Sequence, residues 1–387
     1  MHFVFVERGF PRINGEVGGA GTYVKIYGLE LVKRGHVVSV ICGKNQGDRN
    51  MYVDDGIDVY PDSQNHPIAF FLQKFYIFNF LLDSIKYLEN GISIRRIIKK
   101  INRKKKIDII EFSEGGDFWT SIFKDFYFIS HLHGSAFTFR KNSYKKIGLK
   151  DWLKRKAELF FIKRADKVVS PSNALANLVE KELKEELNID IIPYPINSSL
   201  EQPIAIKEKS DKSLISIIFA SRNDPVKGGE LLIESLHNLN DQLKKIIKVY
   251  IYGYLPKRDI KGLSFLEVHD FISAKELKER YLKSDICIVP SIFDNSPNTV
   301  YEAMSYGKVI VASNAGGIPE IIGSSKNGFI FKKNNATDLT EKISSAIKLI
   351  ISGDSIKMRK NARNRILEMC SLQKNVDVRL RLIHKPE

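Results

Sequence analysis

Two carboxylates, two cations and a histidine pair stand where local structure can aim them at a ligand. Asp294 and Glu302 are eight residues apart in the stretch VPSIFDNSPNTVYEAMSYG, residues 289–307. A buried strand ends at Pro290 and a loop follows. Ser296 suits a helix N-cap and Pro297 the first helical position. The helix is expected to run to Tyr306, where Gly307 stops it. Its free N–H groups then point at whatever lies above the sheet edge, and phosphate is the usual guest. Asp294 sits in the loop and Glu302 about a turn and a half into the helix, so they cannot share one helical face. They suit different parts of one elongated ligand. The plainer alternative is a capped core helix with solvated acids.

Upstream, an apolar run over 214–220 leads into Ser221-Arg222-Asn223-Asp224-Pro225-Val226-Lys227-Gly228-Gly229. Two cations fixed at a strand's C-terminal end suit a leaving group that gains negative charge as a bond breaks. Surface cations of a basic protein are the alternative. In the first half of the chain, His131-Leu132-His133-Gly134 follows a strand, and alternation lets both rings point the same way. Gly18-Gly19 precedes a helix, and glycine lets backbone approach a ligand closely. An ordinary loop would look the same.

The elements that must position these groups alternate along the whole chain. Strand-like runs are expected at 2–6, 37–42, 107–112, 127–131 and 167–170. In the second half they fall at 214–220, 247–252, 285–290 and 308–312. Continuous β-branched runs separated by amphipathic helices predict parallel strands covered on both faces. At 387 residues the chain exceeds one ordinary core. Proline, serine and charge dominate 193–213, which reads as a linker. The expected architecture is α/β, with two Rossmann-like doubly wound domains facing a cleft.

Composition narrows the partners. The formal charge of +16 favours nucleic acid, anionic membrane or phosphorylated substrates without choosing among them. Cys42, Cys287 and Cys370 form no Cys-x-x-Cys pair, so a reduced cytoplasmic protein without disulfides or a zinc site is expected. No leader is expected, and no apolar run reaches the ~18–20 residues that span a bilayer. Ile94, Ile97, Ile98 and Ile101 share a helical face among the cations of 95–106. One reading docks this helix on the sheet; the other sets it against anionic lipid at the inner face of the plasma membrane. The rings of Phe70, Phe71, Phe75, Tyr76, Phe78 and Phe80 suit either a core or a lipid-acceptor groove.

The ordered elements of the second half resemble the signature of glycosyltransferase family four, the retaining GT-B enzymes. That signature has an acid, seven residues, then Glu-Ala-Met, a small residue, Gly, a strand and Gly-Gly-x-Pro-Glu. Here it reads Asp294, Glu302-Ala303-Met304-Ser305-Tyr306-Gly307, then Gly316-Gly317-Ile318-Pro319-Glu320, with Asp294 one methylene shorter than the usual Glu. The resemblance implies that Arg222 and Lys227 clamp a donor diphosphate and that Glu302 meets ribose hydroxyls. It implies that Asp294 and His133 meet the transferred sugar, with His131 the weaker match. Ser296, Asn298 and Thr299, the Gly18-Gly19 turn and Glu320 complete the donor site. It further implies a metal-independent reaction with no cofactor beyond the nucleotide-sugar donor, a glycan or lipid-linked acceptor, and no nucleic-acid partner. The expected domains are 1–196 with a returning helix at 372–387, and 197–371. The rival readings are a charge-driven nucleic-acid- or membrane-binding protein, and a sugar-nucleotide epimerase of the same fold.

Overall fold

The computed structural model describes residues 1–10, 19–43, 50–62, 66–73, 82–113, 118–134, 148–206 and 214–383. The first sheet contains β1 (His2–Val6), β2 (Val37–Gly43), β3 (Tyr52–Asp54), β4 (Ile57–Asp62), β5 (Ile109–Ser113), β6 (Phe128–His131), β7 (Lys167–Ser170) and β8 (Ile189–Ile191). Its order is β3-β4-β2-β1-β5-β6-β7-β8, parallel except for the β3–β4 pair. The second sheet contains β9 (Ile215–Ala220), β10 (Ile247–Tyr252), β11 (Leu266–His269), β12 (Ile286–Val289), β13 (Val309–Ser313) and β14 (Phe329–Phe331). Its order is β11-β10-β9-β12-β13-β14. Every residue of β1, β12 and β13 is buried. That explains why they read as unbroken apolar runs rather than as alternation. Strand order reverses between β1 and β5 and again between β9 and β12, so each sheet opens a ligand crevice at those strand ends.

All nine expected strands are present within two residues of their expected ends. The unforeseen ones are β3, β4, β8, β11 and β14. Most are edge strands of three or four residues, and β8 and β11 are only half-buried. Runs that short carry no usable period.

Helix α1 (Gly19–Lys33) follows β1. Gly21 lets it lie against the exit of that strand, because a Cβ there would sit 1.9 Å from the Gly9 carbonyl. The Leu82–Lys104 helix docks through Ile94, Ile98 and Ile101, all buried with Val4, Ile110 and Phe128. This corrects the lipid-facing reading of that stripe. Its outward cations clothe a core helix. Phe70 and Phe71 are exposed, while Phe75, Tyr76, Phe78 and Phe80 lie outside the described residues.

The chain passes between the sheets twice, and the two passages are bonded together. The Ile196 amide donates to the Cys370 carbonyl at 2.9 Å, and the Leu372 amide donates to Glu201 Oε1 at 3.1 Å. The last helix, Leu372–Ile383, then packs on α1. From it Arg379 enters the first sheet. Its Nη1 donates to both oxygens of Glu111, at 3.2 and 2.9 Å, and its guanidinium lies about 5 Å from the rings of Tyr23 and Tyr27. Tyr23 Oη donates to Glu111 Oε1 at 3.0 Å. Burial opposes the Arg379 charge, but Glu111 more than offsets it.

Removing one partner of a buried pair leaves the other charge uncompensated and costs about 3–5 kcal/mol. Arg379→Met should lower stability to urea by that order. The double variant Arg379→Met/Glu111→Leu should recover part of the loss. Equal unfolding midpoints for the two variants would show that the charge pair is not what holds the last helix.

Candidate active site

The helix Asn298–Ser305 is held with one end closed and the other open. At its C-terminus Arg359 Nε donates to the Gly307 carbonyl at 2.6 Å, and Arg363 donates to the Ser305 carbonyl. Both arginines are buried and come from the Ser355–Met369 helix. Cations there satisfy orphan carbonyls and favour the negative end of the helix dipole. At the N-terminus Pro297 occupies the cap position and contributes no side-chain cap. Ser296, expected as the cap, instead pairs its hydroxyl with Tyr301 Oη at 2.6 Å, and the helix begins at Asn298. The element ends at Ser305 rather than Tyr306, with Gly307 left-handed at φ +58°.

The first turn thus faces a cleft of ≈ 680 Å³ between the two sheets. Across it stands the start of α1: a Cβ on Gly19 would lie 3.9 Å from Asn298 Nδ2. Two helix N-termini therefore flank one space, and each favours an anion. Gly18 falls outside the described residues. Thr299, Ser296 and Asn298 all line the cleft, as expected.

Arg222 and Lys227 enter the same space from beyond β9. The turn that presents Lys227 is the short helix Pro225–Lys227, capped by Asp224 Oδ1 on the Val226 amide at 3.0 Å. Gly228 closes it at φ +75°, and a Cβ there would meet the Pro290 carbonyl at 1.9 Å. Lys227 Nζ reaches Asp294 Oδ2 at 2.6 Å, an ion pair that joins the two motifs. Gly316 and Gly317 hold the backbone beneath that acid. The Gly317 amide donates to the Asp294 carbonyl at 3.0 Å, and a Cβ on Gly316 would lie 2.0 Å from the same oxygen. The Gly-Gly pair serves packing rather than ligand approach.

Glu302 lines the cleft, one turn into its helix. Burial raises its carboxyl to about 7. The Tyr281 hydroxyl lies buried beside it, short of good hydrogen-bond geometry, and offsets only part of that push. Glu320 requires a correction. Its Oε2 accepts from the Asn173 amide at 2.8 Å, and its Oε1 accepts from the Ala174 amide at 2.7 Å. It therefore caps the first-domain helix Asn173–Leu183 and bridges the two halves instead of lining the cleft.

His133 lines the cleft and His131 does not. His131 is fully buried, 3.0 Å from Glu111 Oε1 and 3.1 Å from Arg379 Nη2. His133 shares a 2.5 Å hydrogen bond between Nδ1 and Tyr194 Oη, and its carbonyl accepts from Asn295 Nδ2 across the cleft. Burial, then the neighbouring His131, holds the His133 imidazole well below its ordinary range, so it is neutral. A neutral ring beside a cleft can donate or accept a hydrogen bond.

Several lining residues belong to none of the sequence motifs: Tyr194, Thr22 and, at the far end, Tyr252 at the end of β10 with Phe271 and Ile272 beyond β11. Phe271 is 71% exposed. An aromatic in an otherwise polar stretch after a strand was the available signal.

This layout, two doubly wound domains with a cleft between them, is that of the GT-B glycosyltransferases. The model described as "Glycosyl transferases group 1" matches residues 201–365, and "Glycosyltransferase Family 4" matches 17–200. The chain belongs to this family. An uncharacterized glycosyltransferase of Methanocaldococcus jannaschii is 29% identical over 259 residues, covering 63% of this chain and 64% of its own. The N,N'-diacetylbacillosaminyl-diphospho-undecaprenol alpha-1,3-N-acetylgalactosaminyltransferase of Campylobacter jejuni is 30% identical, over 37% of each chain. This chain thus spans less than two thirds of the length of these relatives. Sucrose-phosphate synthase from Thermosynechococcus elongatus superposes over 98% of both chains, with a TM-score of 0.76 at 17% identity. Anabaena HepE in complex with UDP superposes over 99% of both, with a TM-score of 0.69 at 14% identity. At these identities the likeness concerns the fold.

The raised carboxyl of Glu302 has a stability signature. Below its unfolded value of 4.5 both states are protonated. Between there and about 7 the folded state binds more protons, so stability falls as pH rises through that window. Ligand-free wild type should lose melting temperature relative to Glu302→Gln from about pH 5 to pH 8. Parallel profiles would show that the carboxyl is solvated.

Proposed function

We propose that the chain transfers a sugar, with retention and without a metal, from a nucleotide-diphosphate sugar to a glycan or lipid-linked acceptor. The observation that carries this is the convergence of Arg222, Lys227 and two helix N-termini on one cleft that also holds Asp294 and Glu302. Such a field suits a diphosphate leaving group. Arg222 and Lys227 take the diphosphate together with the amides of Asn298 and Thr299 and the Ser296 side of that turn. Gly19 approaches it from the start of α1. Glu302 accepts from ribose hydroxyls, and Asp294 and His133 hold the sugar. The base lies toward Phe271 and Tyr252.

As the bond from the anomeric carbon to the diphosphate oxygen breaks, the acceptor oxygen bonds to the same face. The departing diphosphate takes the acceptor's proton. Fixed cations and helix dipoles supply the neutralising charge that a metal gives elsewhere. We take residues 1–196 with 372–387 as the acceptor domain and 197–371 as the donor domain. Support for the donor class comes from the structural neighbour HepE, described in complex with UDP and with UDP-glucose. The Campylobacter relative, whose name carries a diphospho-undecaprenol acceptor, supports a lipid-linked one and a role in surface glycan synthesis. A lipid acceptor would place the enzyme peripherally on the cytoplasmic face of a membrane. Among the described residues no helix is long and apolar enough to cross one.

The test is thermal shift and donor hydrolysis across uridine, guanosine and adenosine diphosphate sugars, in the presence of chelator. One base series should stabilise the protein, by about 2.7 kcal/mol at a hundredfold excess over Kd. Arg222→Ala should cost ~10²–10³ in rate while the protein stays folded. Glu302→Ala should remove the stabilisation. Donor isomerised without any acceptor would identify an epimerase instead.

A further inference from the structure

His133 is held from three sides, and one of the three bears on its chemistry. Its ring lies 4.2 Å from that of His131 and 5.5 Å from that of Tyr23, centroid to centroid. Its carbonyl accepts from Asn295 Nδ2 at 3.3 Å, one residue beyond Asp294. Its Nδ1 meets the Tyr194 hydroxyl at 2.5 Å. The first two contacts fix where the ring sits. The third also sets which ring nitrogen carries the proton, because that follows from the hydrogen bond its other nitrogen makes.

Tyr194 is well placed to hold that bond. It stands between Pro193 and Pro195, where the chain starts its first passage between the sheets. Proline fixes its own φ and restricts the residue before it to extended backbone, so the tyrosine is presented with little freedom. The chain is pinned just outside the two prolines. The Ile192 amide donates to the Ser170 carbonyl at 2.8 Å, and the Ile196 amide to the Cys370 carbonyl at 2.9 Å. Tyr194 is buried with its ring 5.4 Å from that of Tyr23, yet it lines the cleft.

The direction of the 2.5 Å bond follows from its chemistry. His133 is neutral, with one N–H and one unprotonated nitrogen. A phenol O–H is a far stronger acid than a neutral imidazole N–H. Hydrogen bonds from O–H are also shorter, whereas those from N–H to oxygen centre at about 2.9–3.0 Å. Both favour Tyr194 as donor and Nδ1 as acceptor, which leaves the proton on Nε2.

We propose that Tyr194 is a positioning residue for sugar transfer: its hydroxyl holds His133 as the Nε2–H tautomer, a hydrogen-bond donor to the nucleotide sugar. This rests on the sugar-transfer reading and on His133 as a contact in it. Without the hydroxyl the ring can take either tautomer, and the Nδ1–H form has an Nε2 that cannot donate.

Nitrogen NMR of histidine-labelled protein, together with donor hydrolysis, tests it. Signals absent from His133→Ala assign the ring. Wild type should show a protonated Nε2 and an unprotonated Nδ1, and Tyr194→Phe a mixture of the two tautomers. Rates are read with whichever uridine, guanosine or adenosine diphosphate sugar raises the wild-type melting temperature most, and the melting temperature also controls for folding. Tyr194→Phe keeps the packed ring and should lose about tenfold in kcat/KM. In a His133→Ala background the same change should cost nothing further, because the two side chains act as one unit. Losses that multiply in the double variant would make Tyr194 a packing residue and overturn the proposal. A protonated Nδ1 in wild type would overturn it even if Tyr194→Phe failed to fold. Wild-type rates in both single variants would overturn it and leave sugar transfer standing. No stabilisation by any donor, and no hydrolysis, would overturn the sugar-transfer reading and this role of Tyr194 with it, whichever tautomer the spectrum shows.

Discussion

The buried contact between Arg379 and Glu111 fixes the geometry on which the rest of the molecule depends. A guanidinium from the last helix is set beneath the sheet end that carries His131 and His133, with two tyrosine rings stacked around it. An arginine suits this place because one guanidinium nitrogen meets both oxygens of Glu111 while the other reaches His131, and the cation still lies over aromatic faces. The charge pair need not add stability over an apolar pair. What it adds is orientation, since Glu111 has further partners in Tyr23 and His131. The edge-to-face contact of Tyr23 with His131 and the tilted contact of His131 with His133 then carry that order to the cleft wall.

A second constraint acts in the other domain, through helix polarity. Arg359 and Arg363 close the C-terminal end of the Asn298–Ser305 helix, and its N-terminal end is left to the cleft. The positive end of that dipole meets the start of α1 across a gap narrow enough that Gly19 lies close to Asn298. Two sheets with reversed strand order bring their crevices together only if the domains are held face to face. The Glu320 bridge, the Asn295 contact to His133 and the paired passages at Ile196 and Cys370 hold them there.

How much of this was legible followed from range. Central strands, the first helix and the two motif loops announce themselves by local apolar runs, glycines and caps. Arg222, Lys227, Asp294 and Glu302 are each placed by a turn within a few residues, and each reaches the cleft. Contacts between distant segments left no local trace. Nothing around Arg379 points to Glu111, 268 positions away. Glu320 entered the donor site by resemblance alone, yet it serves the start of another helix. The isoleucine stripe of 94–101 was ambiguous because a core helix and a membrane-facing helix share one period.

The ion pair between Lys227 and Asp294 ties these observations to chemistry. In a ligand-free cleft with two positive helix ends and Arg222, an isolated Lys227 would add to an already unfavourable field. Asp294 offsets it at 2.6 Å and so keeps the lysine ordered. A diphosphate entering the cleft offers Lys227 a second anionic partner. Under the proposed function, Lys227 turning toward it would free the carboxylate for the hydroxyls of the sugar. The shorter side chain of Asp294 suits that exchange, because it holds the acid close to a backbone already pinned by Gly316 and Gly317. One pair of charges thus balances the field of the cleft and, under the proposed function, divides between the two ends of the donor.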